Sequence, residues 1–236
     1  MHNLLDDYAH GNALRETSAR LKLFLGLGAI LLSVSSPTPI APLFVAITMS
    51  LATVVLAKIP VRIYSRLLLV PLSFALLSAG VVAFMHEDGA TLAALLIART
   101  FGGVCSMYFI ALTTPMIEIF AVLKTLRIPQ FVIELSMMIY RYIFVFLDQA
   151  AMIHSAQVMR LGDAGTKNSI SSFAMLCSVL FLRSWEQGER LIVAMDSRCY
   201  DGKLDLIEPA ERTKPRAILA VAVYLAAATA IAVLTR

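Results

Sequence analysis

The stretch FVIELSMMIYRYIFVFLDQAAMIHSAQVMRLG, residues 131–162, decides the fold of this chain. It has no proline, and its first glycine is its last residue, so we predict one helix of about 32 residues, roughly 48 Å long. Glu134 and Arg141 would each cost about 3 kcal/mol at a bilayer centre. Glu134, Arg141 and Asp148 recur every seven residues, which predicts a polar stripe. An interfacial or slanted amphipathic helix is favoured, although embedding of residues 131–147 stays open.

The composition around this stretch is typical of an integral membrane protein. Of 236 residues, 59% are hydrophobic and 15% are charged, and the apolar residues form long runs. A membrane-spanning helix takes about 20 largely apolar residues. We therefore predict an all-α membrane protein with about five transmembrane helices and long cytoplasmic or interfacial coupling helices. The predicted spans lie near residues 21–36, 41–57, 67–85, 92–113 and 215–235.

Charged loops predict the orientation, because Lys and Arg favour the cytoplasmic side of a membrane. Arg15, Arg20 and Lys22 precede the first span, and Lys58 and Arg62 lie between the second and third. The HEDGAT loop between the third and fourth spans contains neither Lys nor Arg. The N-terminus is therefore predicted to be cytoplasmic, together with the long region between the fourth and fifth spans.

A second long helix is predicted in residues 169–198. Its apolar part before Arg183 is too short to cross a bilayer. Arg183 and Gln187 are four residues apart, as are Glu186 and Arg190, which is typical of a solvent-exposed helix face. The chain is accordingly divided into N-terminal transmembrane helices (1–113), a cytoplasmic coupling-helix region (114–214) and a C-terminal transmembrane helix (215–236).

Both long helices end in an arginine followed closely by glycine. The endings are MRLGDAG around Arg160 and SRCYDG around Arg198, and their glycines are interpreted as helix stops. An arginine at a helix C-terminus has an ordinary role in favouring the helix dipole. Two such ends also suggest docking tips for a cytoplasmic partner, because the planar guanidinium makes several bonds to carboxylates or carbonyls.

Motifs of catalysis and metal binding are absent from the sequence. It contains no GxxxxGK[ST] phosphate loop, no HExxH and no GxSxG, and its histidines lack metal-ligand spacing. We expect no enzyme activity, metal or cofactor in this chain, so any energy must come from a partner. Arg99 is an intramembrane charge with two interpretations. It is either functional or bonded structurally to carbonyls or to a carboxylate such as Glu118.

Three stretches resemble the transmembrane, or T, component of energy-coupling-factor (ECF) transporters, most of all its cobalt-type CbiQ family. They are LLDDYAHGNALRETSARLKLFLGLGAILL, LRIPQFVIELSMMIYRYIFVFLDQAAMIHSAQVMRLGD and SWEQGERLIVAMDSRCYDG. The resemblance covers nearly the whole chain. In that family, two triplets centred on arginine, commonly Ala-Arg-Gly or Ala-Arg-Ser, end the coupling helices and dock on ATPases. The matching triplets are Met159-Arg160-Leu161 and Ser197-Arg198-Cys199, and only their arginines agree with the family pattern.

The resemblance implies a multi-pass protein of a prokaryotic inner (plasma) membrane. It implies a scaffold that couples two separate ABC ATPase subunits, which bind ATP and Mg, to a substrate-binding membrane subunit of cobalt type. A small accessory membrane subunit is a further implied partner, and nucleic acid is not expected. Nickel, biotin or another vitamin are alternative substrates. A self-contained channel or carrier would need polar groups along a path, and a membrane enzyme would need converging catalytic groups.

Overall fold

The computed structural model describes residues 11–12, 14, 17–85, 89–126, 128–201 and 215–234, and its regular elements in these ranges are all helical. The α-helices are α1 (Ala19–Ser35), α2 (Ile40–Leu51), α3 (Val61–Met85), α4 (Gly89–Thr113), α5 (Met116–Thr125), α6 (Gln130–Met159), α7 (Thr166–Asp196) and α8 (Pro215–Leu234). A π-helical turn, Ala52–Leu56, extends α2. The predicted all-α membrane fold is confirmed.

Helices occupy all five predicted spans, but they differ in length. By length and composition α3, α4 and α8 are able to cross a membrane, and so is α6. The π-extended α2 is a shorter apolar helix, and α1 has 17 residues, about 26 Å of helix. The sequence assigned α6 to the interface because of its charges, and that assignment stays a prediction.

Contacts along the backbone divide the chain into two compact units, one of residues 3–122 with 208–236 and one of residues 123–207. In the first unit α4 is central, because α1, α2 and α3 each pack mainly against it, while α8 packs against α1 and α2. Its core contains Ala29, Val45, Ala46, Met49, Cys105 and Phe109. Small residues let membrane helices approach closely.

Arg99 fixes the turn between α1 and α2. Its Nε and Nη2 atoms donate to the Ser36 carbonyl at 3.1 and 2.6 Å, and Ser33 Oγ donates to the Arg99 carbonyl at 3.2 Å. The arginine therefore ties the middle of α4 to the residue that follows α1. This agrees with the structural interpretation of Arg99, and of the two suggested kinds of partner the guanidinium binds a carbonyl rather than the Glu118 carboxylate.

The C-terminal end of α4 is capped by polar side chains from the start of the chain. Lys22 Nζ donates to the Thr113 carbonyl at 3.0 Å, and Asn12 Nδ2 donates to the Leu112 and Thr113 carbonyls at 3.3 and 3.2 Å. A helix C-terminus presents carbonyls without intrahelical partners and favours a nearby cation. Lys22, which the sequence offered only as a topology signal, is buried and caps a helix.

The second unit is a hairpin of α6 and α7, which run antiparallel. Gln157, near the end of α6, donates to the Ser172 carbonyl in the first turns of α7 at 2.8 Å. At the opposite end, Tyr200 beyond α7 donates to Glu134 in the first turns of α6 at 2.9 Å. Between these two contacts the helices flank an open apolar groove of about 700 Å³.

Candidate functional site: two arginine tips

The first tip is the C-terminal end of α6, where the helix closes in a Schellman motif. Leu161 has a φ of 62°, so the backbone there is left-handed. The Leu161 N–H donates to the Val158 carbonyl at 3.0 Å, and the Gly162 N–H donates to the Gln157 carbonyl at 2.9 Å. These two bonds define the motif. Arg160 directly precedes the left-handed residue.

The second tip, at the end of α7, repeats this backbone arrangement. Cys199 has a φ of 55°. Its N–H donates to the Asp196 carbonyl at 3.1 Å, and the Tyr200 N–H donates to the Met195 carbonyl at 3.1 Å. Arg198 again directly precedes the left-handed residue. Both arginines therefore occupy the same position in the same helix-ending motif, although their neighbours in sequence differ.

The interpretation of a glycine as the helix stop was wrong in position for α6 and stays untested for α7. The left-handed residues are Leu161 and Cys199, whereas Gly162 follows the turn and Gly202 lies outside the described residues. Gly162 serves another purpose, because a Cβ there would lie 2.6 Å from the Ser172 hydroxyl. A left-handed residue with a side chain costs about 1–2 kcal/mol, so both tips carry some backbone strain.

The side chains of both tips face outward. Met159 and Leu161 are 86% and 75% exposed around the first arginine, which is itself exposed. Ser197, Arg198 and Cys199 are also exposed, and the Ser197 hydroxyl donates back to the Val193 carbonyl at 2.9 Å. The first tip therefore has large apolar flanks, and the second has the smaller flanks Ser197 and Cys199.

Helix α7 separates the two tips. It has 31 residues, which correspond to about 46 Å at 1.5 Å per residue. Arg160 lies shortly before its first residue and Arg198 just beyond its last. Neither guanidinium forms an ion pair or hydrogen bond with the described part of the chain. Each tip therefore presents an arginine guanidinium that is available to a partner, and the length of α7 separates the two guanidinium groups.

The predicted polar stripe divides in the structure. Glu134 is 6% exposed and accepts hydrogen bonds from Gln130 Nε2 at 2.7 Å and the Tyr200 hydroxyl at 2.9 Å. Arg141 and Asp148 are exposed. The bond to the Glu134 carboxylate raises the pKa of Tyr200 above its ordinary value, because that bond needs the phenolic proton. Sequence spacing gave no sign of the partnership between Tyr200 and Glu134.

Other polar predictions fall outside the tips. Arg190 lies 3.9 Å from Glu186 on α7, so the predicted four-residue pair is confirmed. The three cysteines are free, with Cys105 buried and Cys177 and Cys199 exposed. Among the residues that the structure describes, no group of three His, Cys, Asp or Glu side chains is placed to hold a metal ion.

The groove between α6 and α7 is lined almost entirely by carbon. Residues from both helices form its walls, including Met138, Tyr142, Phe146, Leu180 and Leu191. The polar stripe does not enter it, since Glu134, Arg141 and Asp148 are not among its lining residues. The hairpin therefore combines a nonpolar middle with a polar arginine tip at each end.

Helices of transmembrane length and a hairpin of two long helices with exposed arginine tips define a multi-pass α-helical membrane protein. Residues 10–207 match the family model CbiQ, described as cobalt transport protein. The match covers most of the chain, and the chain therefore belongs to the CbiQ cobalt transport protein family. This confirms the resemblance found in the sequence.

Three relatives accompany the family match. A putative fused cobalt transport protein CbiMQ of Methanocorpusculum labreanum is 44% identical over 95% of this chain, which spans 41% of the fused protein. The cobalt transport protein CbiQ of Rhodobacter capsulatus is 26% identical over 82% of this chain and 83% of its own. The energy-coupling factor transporter transmembrane protein EcfT of Ruminiclostridium cellulolyticum is 34% identical over 39% of this chain and 36% of its own. All three relatives carry the names of transport or transporter proteins.

Proposed function

We propose that this chain transmits ATP-driven motion from two separate ABC ATPase subunits to a separate cobalt-type membrane subunit, and so drives cobalt ion uptake. In this proposal the ATPases bind ATP and Mg, and the other membrane subunit binds cobalt. The observation that carries the proposal is the pair of exposed arginine tips with one shared backbone geometry. A small accessory membrane subunit is a further proposed partner.

The geometry of the tips supports two docking contacts. Each arginine stands at a tight helix end with its fork unpaired in the described part of the chain. Guanidinium groups bind carboxylates and backbone carbonyls through several directed hydrogen bonds. Because about 46 Å of α7 lies between the tips, one groove cannot receive both. Two ATPase subunits, each with one groove, match this spacing.

The side chains beside each arginine define which groups the receiving groove on an ATPase subunit must provide. Met159 and Leu161 expose most of their surface beside Arg160, so the first groove is expected to have apolar walls and acceptors at its floor. Ser197 and Cys199 are smaller and expose less apolar surface beside Arg198. The shared element is therefore the arginine on a left-handed turn, and the flanks adjust the fit.

The relatives support the partners. The name of the fused relative joins CbiM and CbiQ, which favours a CbiM-type membrane subunit as the neighbour of this chain. The coupling step then follows from the hairpin. ATP binding brings the ATPases together, the two tips move with them, and α6 and α7 transmit this motion to the substrate-binding subunit. Cobalt is released when that subunit tilts or rotates.

Substitution of the arginines tests the proposal. Arg160→Ala and Arg198→Ala should each weaken ATPase association, and the double variant should lose far more because two tips share one assembly. Truncating a charge-assisted interface contact costs about 2–5 kcal/mol. Arg198→Lys should restore association only in part, because it keeps the charge without the planar fork. The measurements are co-purification of the ATPases and ATP-dependent cobalt uptake into vesicles.

Arg183→Ala is the matched control, since Arg183 is an exposed arginine within α7 away from both ends. It should associate and transport like the wild type. Wild-type association and uptake in the double variant would overturn the proposal. Cobalt uptake by this chain without any ATPase subunit would instead favour a self-contained carrier, and uptake of nickel in preference to cobalt would revise the substrate.

The topology is part of the proposal. We place the N-terminus and residues 114–214 on the cytoplasmic side, because their Lys and Arg favour that side. In a variant whose exposed cysteines, Cys177 and Cys199, are replaced by Ser, a new cysteine at Asp88 should react with an impermeant reagent outside intact cells. A cysteine at Gly165 should not react. External labelling at Gly165 would reverse the orientation.

A further inference from the structure

The second arginine tip is connected to the start of α6 by a long-range hydrogen bond. Tyr200 directly follows Cys199, the left-handed residue of that tip. Its hydroxyl donates to Glu134 Oε2 at 2.9 Å across 66 positions of sequence, while its N–H closes the Schellman motif with Met195. One residue thus ends α7 and also holds that end against α6.

Glu134 is well suited to receive this bond. It is 6% exposed, and its other carboxylate oxygen accepts from Gln130 Nε2 at 2.7 Å, one turn earlier on α6. A buried carboxylate is costly unless its oxygens are hydrogen-bonded. Breaking the bond to Tyr200 would remove one donor from Glu134 Oε2. The folded chain therefore favours keeping the Tyr200 hydroxyl bonded to Glu134.

The first tip is attached by a different set of bonds. The Ser172 hydroxyl donates to the Gly162 carbonyl at 3.0 Å, and Gln157 Nε2 donates to the Ser172 carbonyl at 2.8 Å. In both tips, therefore, the residue after the left-handed position is bonded to the opposite helix of the hairpin. The first attachment is local and neutral, whereas the second is long-range and ends on a carboxylate.

We infer that Glu134 and Tyr200 are positioning residues that hold the Arg198 tip on the first turns of α6, so that displacement of Arg198 moves both helices of the hairpin together. The inference rests on the proposed function, because it assigns the tip a moving partner. Neither residue is expected to touch ATP or cobalt. Without the bond, the end of α7 would move while α6 lags behind.

Tyr200→Phe tests the inference, because it removes one hydroxyl and keeps the ring. In the full complex in lipid nanodiscs, amide exchange in residues 130–134 and 195–201 should accelerate about tenfold, as expected for loss of a hydrogen bond to a charged group. Exchange in residues 157–172 should not change. ATP hydrolysis should continue, while the number of cobalt ions transported per ATP should fall several-fold.

Two further variants separate positioning from general stability. Ser172→Ala is the counterpart at the first tip and should accelerate exchange in residues 157–165 but not in 195–201. Glu134→Gln keeps an acceptor oxygen for Tyr200 and should restore much of the coupling that Glu134→Ala loses. Adding Tyr200→Phe to Glu134→Ala should cause no further loss, because the bond is already absent.

The outcomes distinguish this inference from the proposed function. Unchanged exchange in Tyr200→Phe would overturn the positioning pair alone. Faster exchange with wild-type coupling, in an assay where Arg198→Ala is uncoupled, would also overturn it and leave docking intact. If the double arginine variant associates and transports like the wild type, the proposed function fails and the inference fails with it.

Discussion

The first unit and the α6–α7 hairpin are both apolar, yet they bury their residues very differently. In the first unit, Ala29, Ala46 and Cys105 are fully enclosed where helices cross. In the hairpin, α6 buries only Ile133 and Glu134, and α7 buries no residue. Apolar composition is therefore not sufficient for a core, because side chains are buried only where several helices pack against one another, as they do around α4.

The two units therefore differ in how far contacts within the chain bury their apolar side chains. The first unit has a close-packed interior around α4, although outward-facing side chains such as Phe74 and Phe84 are exposed there as well. The hairpin leaves large side chains such as Phe173, Phe181 and Trp185 more than 60% exposed, and its polar contacts are concentrated at its two ends. The first unit therefore has a buried apolar interior, whereas the hairpin has side-chain hydrogen bonds between its helices near both ends.

The largest effect should come from Gly102 in the first unit. A Cβ there would lie 2.8 Å from the Pro42 carbonyl oxygen and would also press on Ser33. Gly102→Ala should therefore lower the free energy of unfolding by about 2 kcal/mol through overpacking. Gly103→Ala is the neighbouring control, since a Cβ there meets nothing within 4 Å. Thermal unfolding of the detergent-solubilised protein measures both.

The corresponding change in the hairpin is Gly188→Ala. A Cβ at Gly188 also meets nothing within 4 Å, and alanine has a higher helix propensity than glycine by about 1 kcal/mol. The substitution should be neutral or stabilising. If Gly188→Ala destabilised the protein as much as Gly102→Ala, the proposed contrast between the two units would be false.

A smaller effect is expected at Arg99. Arg99→Met removes both bonds to the Ser36 carbonyl, and loss of a charge-assisted hydrogen bond costs about 1.5 kcal/mol. Arg99→Lys should recover part of this loss, because one ammonium donor can still reach a carbonyl. The unfolding midpoint should fall while cobalt uptake per folded molecule stays unchanged. Loss of uptake in a stably folded Arg99→Lys protein would point to a role on the transport path.

The left-handed residues of the two tips should respond in the opposite direction. Leu161→Gly and Cys199→Gly relieve a positive φ, and each should stabilise its helix end by about 1 kcal/mol. Slower amide exchange of Gly162 and Tyr200, the donors that close each motif, would report this gain. Faster exchange in either variant would mean that the side chain contributes contacts that outweigh the strain.

The smallest effect is expected for the exposed pair of Glu186 and Arg190. Their nitrogen and oxygen atoms are 3.9 Å apart, and the side chains are 65% and 76% exposed. Exposed pairs on helices contribute about 0.5 kcal/mol or less. Glu186→Gln should leave the unfolding midpoint almost unchanged at physiological salt. A large shift would show that this face of α7 is shielded from solvent in the assembled protein.

Much of the helical layout could be predicted, because long apolar runs and charged loops are local properties of the sequence. The partners of the charged residues could not be predicted in the same way. Lys22 is an ordinary topology signal in sequence, yet it caps α4 across 91 positions. For Arg99 the sequence left carbonyls and the Glu118 carboxylate open as partners, and only the structure identified the Ser36 carbonyl.

The sequence by itself determined that this is an α-helical membrane protein with two arginine-tipped long helices, since helix length, hydropathy and an arginine near each helix end are written in consecutive residues. Only the tertiary structure decided that Leu161 and Cys199 adopt the left-handed turn, and that Tyr200 reaches Glu134. The left-handed turn depends on which backbone N–H groups bond to which carbonyls at the end of each helix. The bond depends on two helices folding back antiparallel, which brings residues 66 positions apart to within 2.9 Å.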